Sequence, residues 1–219
     1  MNYGRRQGDG GRRSFMRPPD DPPGTSRLFM AVPVADEVRE AVRRLMEELA
    51  GAAIDVRGPG QPRWVRVDGL HLTLRFLGAT PDGRLAELSA AVAATARGVA
   101  PFRVELNGGG AFPTPQRPRV LWIGIGAGRA ELEALTQRLN GELERLGWPR
   151  DDRPFQPHLT LARTDGVPGA DRKAEHLIEL AKDVRLDWQA DSLILYRSNL
   201  GHGPTHYEAL AQARLSAGG

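Results

Sequence analysis

The sequence predicts an α+β fold of two pseudo-symmetric lobes, built from mixed or antiparallel sheet with flanking helices around a central cleft. Three observations carry this reading. Strand-like and helix-like segments mix without the strict alternation of a doubly wound parallel sheet, and several strand pairs are joined locally. The tetrapeptide His-Leu-Thr-Leu occurs at 71–74 and again at 158–161, and internal repetition marks related halves. With 219 residues, 40% of them apolar, the chain is long enough to bury one sizeable core.

Residues 1–25 hold five arginines, three aspartates and runs of glycine and proline, with almost no aliphatic side chains. Such a segment cannot offset the entropy of ordering, so it is expected to be a disordered tail preceding a single bilobal domain at 26–219. Within it, Arg12-Arg13-Ser14-Phe15-Met16 resembles a twin-arginine export signal. Prolines and aspartates at 18–23 stand where the apolar region of such a signal would begin, which argues against export.

Leu28–Val32 is a short apolar run read as a buried strand. Asp36 suits an N-cap, and Val38, Val42, Leu45, Met46 and Leu49 recur at helical spacing up to Gly51. A glycine- and proline-rich loop at 52–62 leads to strands at 63–67 and 71–77 around an Asp68-Gly69 turn. Residues 82–97 read as helix, 102–106 and 120–125 as strands, and 129–146 as a second long amphipathic helix closed by Gly147. A strand at 158–163, a helix near 171–182 and strands at 184–188, 192–197 and 207–215 complete the chain.

Composition excludes several functions. There is no cysteine, hence no disulfide, thiolate nucleophile or cysteine-bound zinc. Only Lys173 and Lys182 are lysines, and the net charge is +3. The pI of 9.8 reflects a small arginine excess with little else titrating between neutrality and pH 10. A charge this modest does not itself indicate a nucleic-acid binder. No run approaches the roughly 18 apolar residues of a membrane span, so a cytoplasmic monomer is expected.

The repeat carries the chemistry. On a strand, successive side chains alternate faces, so the leucines of each copy point into a core while His71 and Thr73, and likewise His158 and Thr160, share the opposite face. Pseudo-symmetry would bring two imidazoles and two hydroxyls around one point. Two histidines without further ligands make a poor zinc site. The His202/His206 pair is spaced i, i+4, but Gly203-Pro204 prevents the helix that would align it, and His176 sits on a charged helix. What two imidazoles can do near neutral pH is act as a general acid and a general base. The hydroxyls, with a nearby arginine, can hold phosphoryl oxygens as charge builds on them. The set suits in-line displacement at phosphorus, with no metal and no cofactor.

On these motifs the sequence resembles the two-histidine phosphoesterase superfamily, and within it the bacterial and archaeal RNA 2′,3′-cyclic phosphodiesterases, also called the 2′-5′ RNA ligase family. The matching stretches are RLFMAV at 27–32, LHLTLRFLG at 70–78, RPRVLWIGI at 117–125, RPFQPHLTLAR at 153–163, and LILYRSNLG with HYEAL at 193–210. The resemblance implies two similar lobes with one HxTx motif from each. It implies His71 as the acid protonating the leaving sugar oxygen and His158 as the base activating water. It further implies Thr73, Thr160 and Arg163 as substrate-binding residues and RNA ends bearing a 2′,3′-cyclic phosphate, tRNA fragments among them, as partners. The product implied is a 2′-phosphomonoester, and the family's second name implies reversible 2′-5′ joining by the same acid and base.

Two details resist a regular strand. Arg163 lies five residues after His158, an odd offset that turns it away from the cleft unless the strand bends or ends first. Phe76 has the same offset from His71; it could stack on a base, but is expected to be a core residue. Two other readings use the same residues: a cyclic phosphodiesterase acting on a small nucleotide, and an RNA-end-binding module with incidental turnover.

Overall fold

The computed structural model describes residues 22–51, 62–151, 154–165, 167–199 and 205–217. Nine strands and four α-helices are found among them, in the order β1 (Thr25–Pro33), α1 (Asp36–Gly51), β2 (Arg63–Trp64), β3 (His71–Pro81), α2 (Leu85–Ala96), β4 (Phe102–Phe112), β5 (Val120–Ile125), α3 (Arg129–Arg145), β6 (His158–Arg163), α4 (Ala170–Ala181), β7 (Leu186–Ala190), β8 (Ser192–Asn199) and β9 (His206–Arg214). They form a four-stranded sheet of order β3-β1-β8-β9 and a five-stranded sheet of order β2-β6-β5-β4-β7. Every neighbouring pair in both sheets is antiparallel.

The two sheets are built alike. Each has a histidine-bearing strand, β3 or β6, paired to the strand that precedes it across a helix, β1 or β5. Apart from the two-residue β2, which joins the other sheet, the run β1-α1-β3-α2 is thus repeated as β5-α3-β6-α4. Helix placement crosses over. While α2 covers β8 and β9, α3 packs on α2 and β3; α4 covers β4, and α1 packs on α4 and β7. Each half therefore lends a helix to the other, and one continuous core runs through both sheets.

Local rules explain most of the elements. In β1, Leu28 to Val32 are all buried, as befits a strand flanked on both sides by neighbours. In α1 the buried residues are Val38, Val42, Met46 and Leu49, one stripe of a helix. Asp36, expected to cap α1 from outside, is its first residue and pairs with Arg39, which still places negative charge at the positive end of the helix dipole.

Several expectations shift. The chain from Pro22 is already folded: the Thr25 amide donates to the Pro22 carbonyl, and Thr25 pairs with Pro81. The expectation of disorder for 1–21, like the loop at 52–61 and His202, lies outside the described residues. The strand expected at 63–67 ends at Trp64, because the chain then turns through Val67–Gly69 to cross into the other sheet. The strand expected at 102–106 runs on to Phe112 through three consecutive glycines. A Cβ at Gly110 would lie 2.3 Å from the Trp122 ring, so glycine there admits the indole, a use of glycine that sequence periodicity does not show.

Leu159 is fully buried at the centre of the second motif. Leu159→Ala is expected to cost about 2–5 kcal/mol of unfolding free energy, measurable as a lowered denaturant midpoint with an unchanged slope. A loss below about 0.5 kcal/mol would contradict the core role assigned here to the motif's leucines.

Candidate active site

His71 opens β3 and His158 opens β6, each immediately after a turn or extended loop. Both rings are anchored in the same way. His71 Nδ1 lies 2.6 Å from the Gly69 carbonyl, and His158 Nδ1 lies 2.6 Å from the Gln156 carbonyl. A carbonyl can only accept, so Nδ1 carries the proton in each ring. Nε2 is left to face the cleft, as a lone-pair acceptor when the ring is neutral and as an N–H donor when it is charged.

Aromatic walls hold these orientations. The edge of Tyr207 meets His71 at a ring separation of 5.0 Å and 90°, and Phe29 lies 4.7 Å away on another side. In the second half, Phe112 meets His158 at 4.9 Å and 87°. Edge-to-face packing of this kind fixes a ring without using its nitrogens.

Both histidines, both threonines, Arg163 and Phe76 line a single cleft of about 970 Å³, together with Tyr207, Phe112 and Gln156. The expected convergence of the two motifs is thus found, at the place where β3 and β6 approach each other. The odd offset of Arg163 is resolved by a bulge. Along β5–β6, Leu121 pairs with Ala162 but Trp122 pairs with Thr160, so Leu161 is an extra residue. Alternation is reset there, Ala162 is buried and Arg163 turns into the cleft. The first motif does the same: Met30 pairs with Arg75 and Ala31 with Thr73, leaving Leu74 extra. Phe76 accordingly faces the cleft at 60% exposure. Its expected place in the core is corrected; the bulge puts it at the position Arg163 holds in the other half.

Burial lowers the pKa of His71 from 6.5 to about 4; the Gly69 hydrogen bond opposes the shift and the positive charge of His158 adds to it. His158 is also lowered, by burial first, against the Gln156 hydrogen bond and with help from Arg163. His71 thus feels the charge of His158, and Arg163 acts on His158 and, in the same direction, on the Tyr207 phenol. Burial thus favours the neutral form of both imidazoles at pH 7. An anion would reverse the balance, because charge on phosphoryl oxygens favours the imidazolium.

His176 lies half-exposed on α4, and His206 begins β9. No group of three or more His, Cys, Asp or Glu residues is placed to hold a metal ion among the described residues. Reading the sequence alone missed Tyr207, Phe112 and Gln156. Their signal was weak: Tyr207 sits in the HYEAL stretch, and Gln156 precedes the second histidine by two residues, as Gly69 precedes the first.

The profile of the 2′-5′ RNA ligase superfamily matches residues 34–202. An RNA 2′,3′-cyclic phosphodiesterase of Methanothermobacter thermautotrophicus is 32% identical over 189 residues, covering 86% of this chain and 98% of that protein. One of Geobacillus stearothermophilus is 34% identical over 187 residues, covering 85% of this chain, which spans only 56% of that protein's length. Among solved structures, a protein of Thermus thermophilus superposes with a TM-score of 0.69 at 31% identity, covering 86% of this chain and 97% of that one.

A Cβ at Gly69 would come 2.7 Å from Cδ2 of Tyr207. Gly69→Ala is therefore expected to displace the Tyr207 ring and open the wall around His71. An NMR titration should find the His71 pKa raised from about 4 towards 6.5, with His158 little changed. An unmoved His71 would show that Tyr207 does not enforce its burial.

Proposed function

The chain belongs to the 2′-5′ RNA ligase superfamily, and from that membership and its two facing imidazoles we propose that it hydrolyses RNA 2′,3′-cyclic phosphate ends to 2′-phosphates without a metal. The observation that carries this reading is the twin anchoring of His71 and His158, each with Nδ1 given to a backbone carbonyl and Nε2 free in one cleft. A single displacement at phosphorus needs one proton taken and one delivered. Water attacks phosphorus while its proton passes to His158 Nε2, the P–O3′ bond breaks, and the 3′-oxygen receives a proton from His71 Nε2. Thr73, Thr160 and Arg163 donate to the non-bridging oxygens, where charge builds in the transition state. Phe76 offers an exposed ring on which a base can stack.

The low pKa of His71 fits this role because the ring takes up a proton from solvent as the anionic substrate binds. The anionic phosphodiester stabilises the imidazolium, so the acid is charged by the molecule it serves. The carbonyl at the far side of each ring keeps the protonated form oriented and hydrogen-bonded.

The direct test is an RNA oligonucleotide ending in a 2′,3′-cyclic phosphate, incubated with the protein in EDTA. A 2′-phosphate end is expected at the metal-replete rate. Loss of rate in EDTA restored by a divalent ion would remove the metal-free mechanism, and a 3′-phosphate product would remove the regiochemistry. His71→Ala and His158→Ala should each lower turnover on the order of 10²–10⁴-fold. A substrate whose bridging 3′-oxygen is replaced by sulfur, a leaving group with little need of a proton, should restore rate to His71→Ala and not to His158→Ala. The opposite pattern would exchange the two roles.

The pH dependence has a fixed sign. kcat/KM reports the free protein, in which the His71 pKa is about 4 and that of His158 lies below 6.5. One ring must be charged and the other neutral, so activity falls below the lower pKa and above the higher one. The kcat/KM optimum is expected on the acid side of pH 6.5, whichever ring is the acid. The falling limb of kcat should lie at higher pH than that of kcat/KM, because bound phosphate raises both pKa values. A kcat/KM optimum above about pH 7 would contradict the burial of the pair.

A further inference from the structure

Tyr207 reaches the cleft from the far edge of its sheet. In the order β3-β1-β8-β9 it stands three strands from His71. Its ring nevertheless packs edge-on against that imidazole at 5.0 Å and against Phe29 at 5.1 Å. The first sheet therefore curls until β9 overhangs the start of β3, and the Tyr207 ring closes on Gly69. The second half has no such reach. There Phe112, on β4, gives His158 its edge contact. Among the described residues none from β7, which holds the place of β9 in the second sheet, lines the cleft.

As a wall, a phenylalanine ring suffices, as Phe112 demonstrates, and the Tyr207 hydroxyl is surplus to that task. The hydroxyl has no hydrogen-bond partner among the described residues, and it is not buried. Asp68, one residue before Gly69, is held by Arg66. Burial raises the phenol pKa and Arg163, across the cleft, opposes that shift. The hydroxyl thus keeps its proton at neutral pH while standing in the field of a guanidinium. A guanidinium carries only donors, so it cannot accept that proton. Two donors therefore converge on the cleft from opposite sheets, and the acceptor that suits both is an anionic oxygen.

We infer that Tyr207 is a phosphate-binding residue, its hydroxyl donating to a non-bridging oxygen of the terminal phosphate from the first sheet while Arg163 donates from the second. The inference rests on the reading of the cleft as a cyclic phosphodiesterase site. Because the same ring packs on His71, the phosphate is seated in fixed relation to the imidazole that this reading makes the acid.

Tyr207→Phe removes the hydroxyl and keeps the ring, so it separates a ligand from a wall. The full chain and this variant are titrated calorimetrically with inorganic phosphate and with a nucleoside 2′-monophosphate, and the His71 pKa is followed by NMR in both. Each ligand should bind the variant about tenfold or more weakly, and kcat/KM on the cyclic phosphate should fall about 10–100-fold, the scale of a hydrogen bond to a charged group. His71 should keep its pKa of about 4. Unchanged affinity and rate would overturn the inference. So would a loss accompanied by a His71 pKa moved towards 6.5, since the wall would then account for it. Should the variant fail to fold, the unaltered protein carries the test. The chain has three tyrosines, and with their Cζ atoms labelled, phosphate should move the Tyr207 resonance and leave Tyr196 in place. No movement, or equal movement of both, would overturn the inference. Weakened phosphate binding by Tyr207→Phe in a protein that does not hydrolyse the cyclic phosphate would overturn the proposed reaction and leave Tyr207 as an anion ligand.

Discussion

The alternation of side chains along two short strands, pinned by their leucines, is the constraint from which the site follows. Leu72 and Leu74, and Leu159 and Leu161, are all buried. A one-residue slip of either strand would expose its leucines and bury its histidine and threonine, at the cost of several large apolar side chains. The core thus enforces the direction of the two imidazoles. The imidazoles then need only a local partner to fix their rotation, and the carbonyl two residues upstream supplies it in both halves.

Holding the two faces against each other is a separate problem, met by the helices. A cleft between two sheets would be free to open if each lobe packed only on itself. Here α3 of the second repeat packs on β3, and α1 of the first packs on β7 and α4. Parting the histidine-bearing strands would uncover apolar surface on both helices. Close approach within the second half adds to this rigidity: Leu177 and Ala181 of α4 crowd Gly109, and the Trp122 ring lies over Gly110. Residues far from the cleft thereby govern how well the two imidazoles are matched, and for the proposed proton transfers a misplacement of an ångström would be costly.

How much of this was legible in the sequence depends on the range of the interactions involved. The helical stripes, the buried β1 and the facing of His71, Thr73, His158 and Thr160 follow from periods of about 3.6 and 2, which are local. The fifth positions were not legible. Whether Arg163 and Phe76 turn inward is decided by the register of β5 against β6 and of β1 against β3, a choice made by strands dozens of residues away. The glycine run at 108–110 falls outside the strand expected at 102–106 because its purpose, admitting an indole and a helix, lies in the neighbouring elements.

The two halves share a fold and differ where direction matters. At the position that the bulge turns inward, one half presents the cation Arg163 and the other the ring of Phe76. A symmetrical cleft with two equivalent imidazoles would accept an RNA end in either orientation, and each histidine would serve as acid in half of the encounters. An arginine on one side and an aromatic ring on the other lower that symmetry. Under the proposed reaction an anionic group would be drawn towards Arg163 and His158, and a flat apolar group towards Phe76 and His71. The deeper depression of His71 extends the same asymmetry to the protons: the ring beside the aromatic wall is the harder to charge, and therefore the one whose protonation depends most on the phosphate being present. Duplication supplies the pair, and divergence at the fifth residue gives the pair an order.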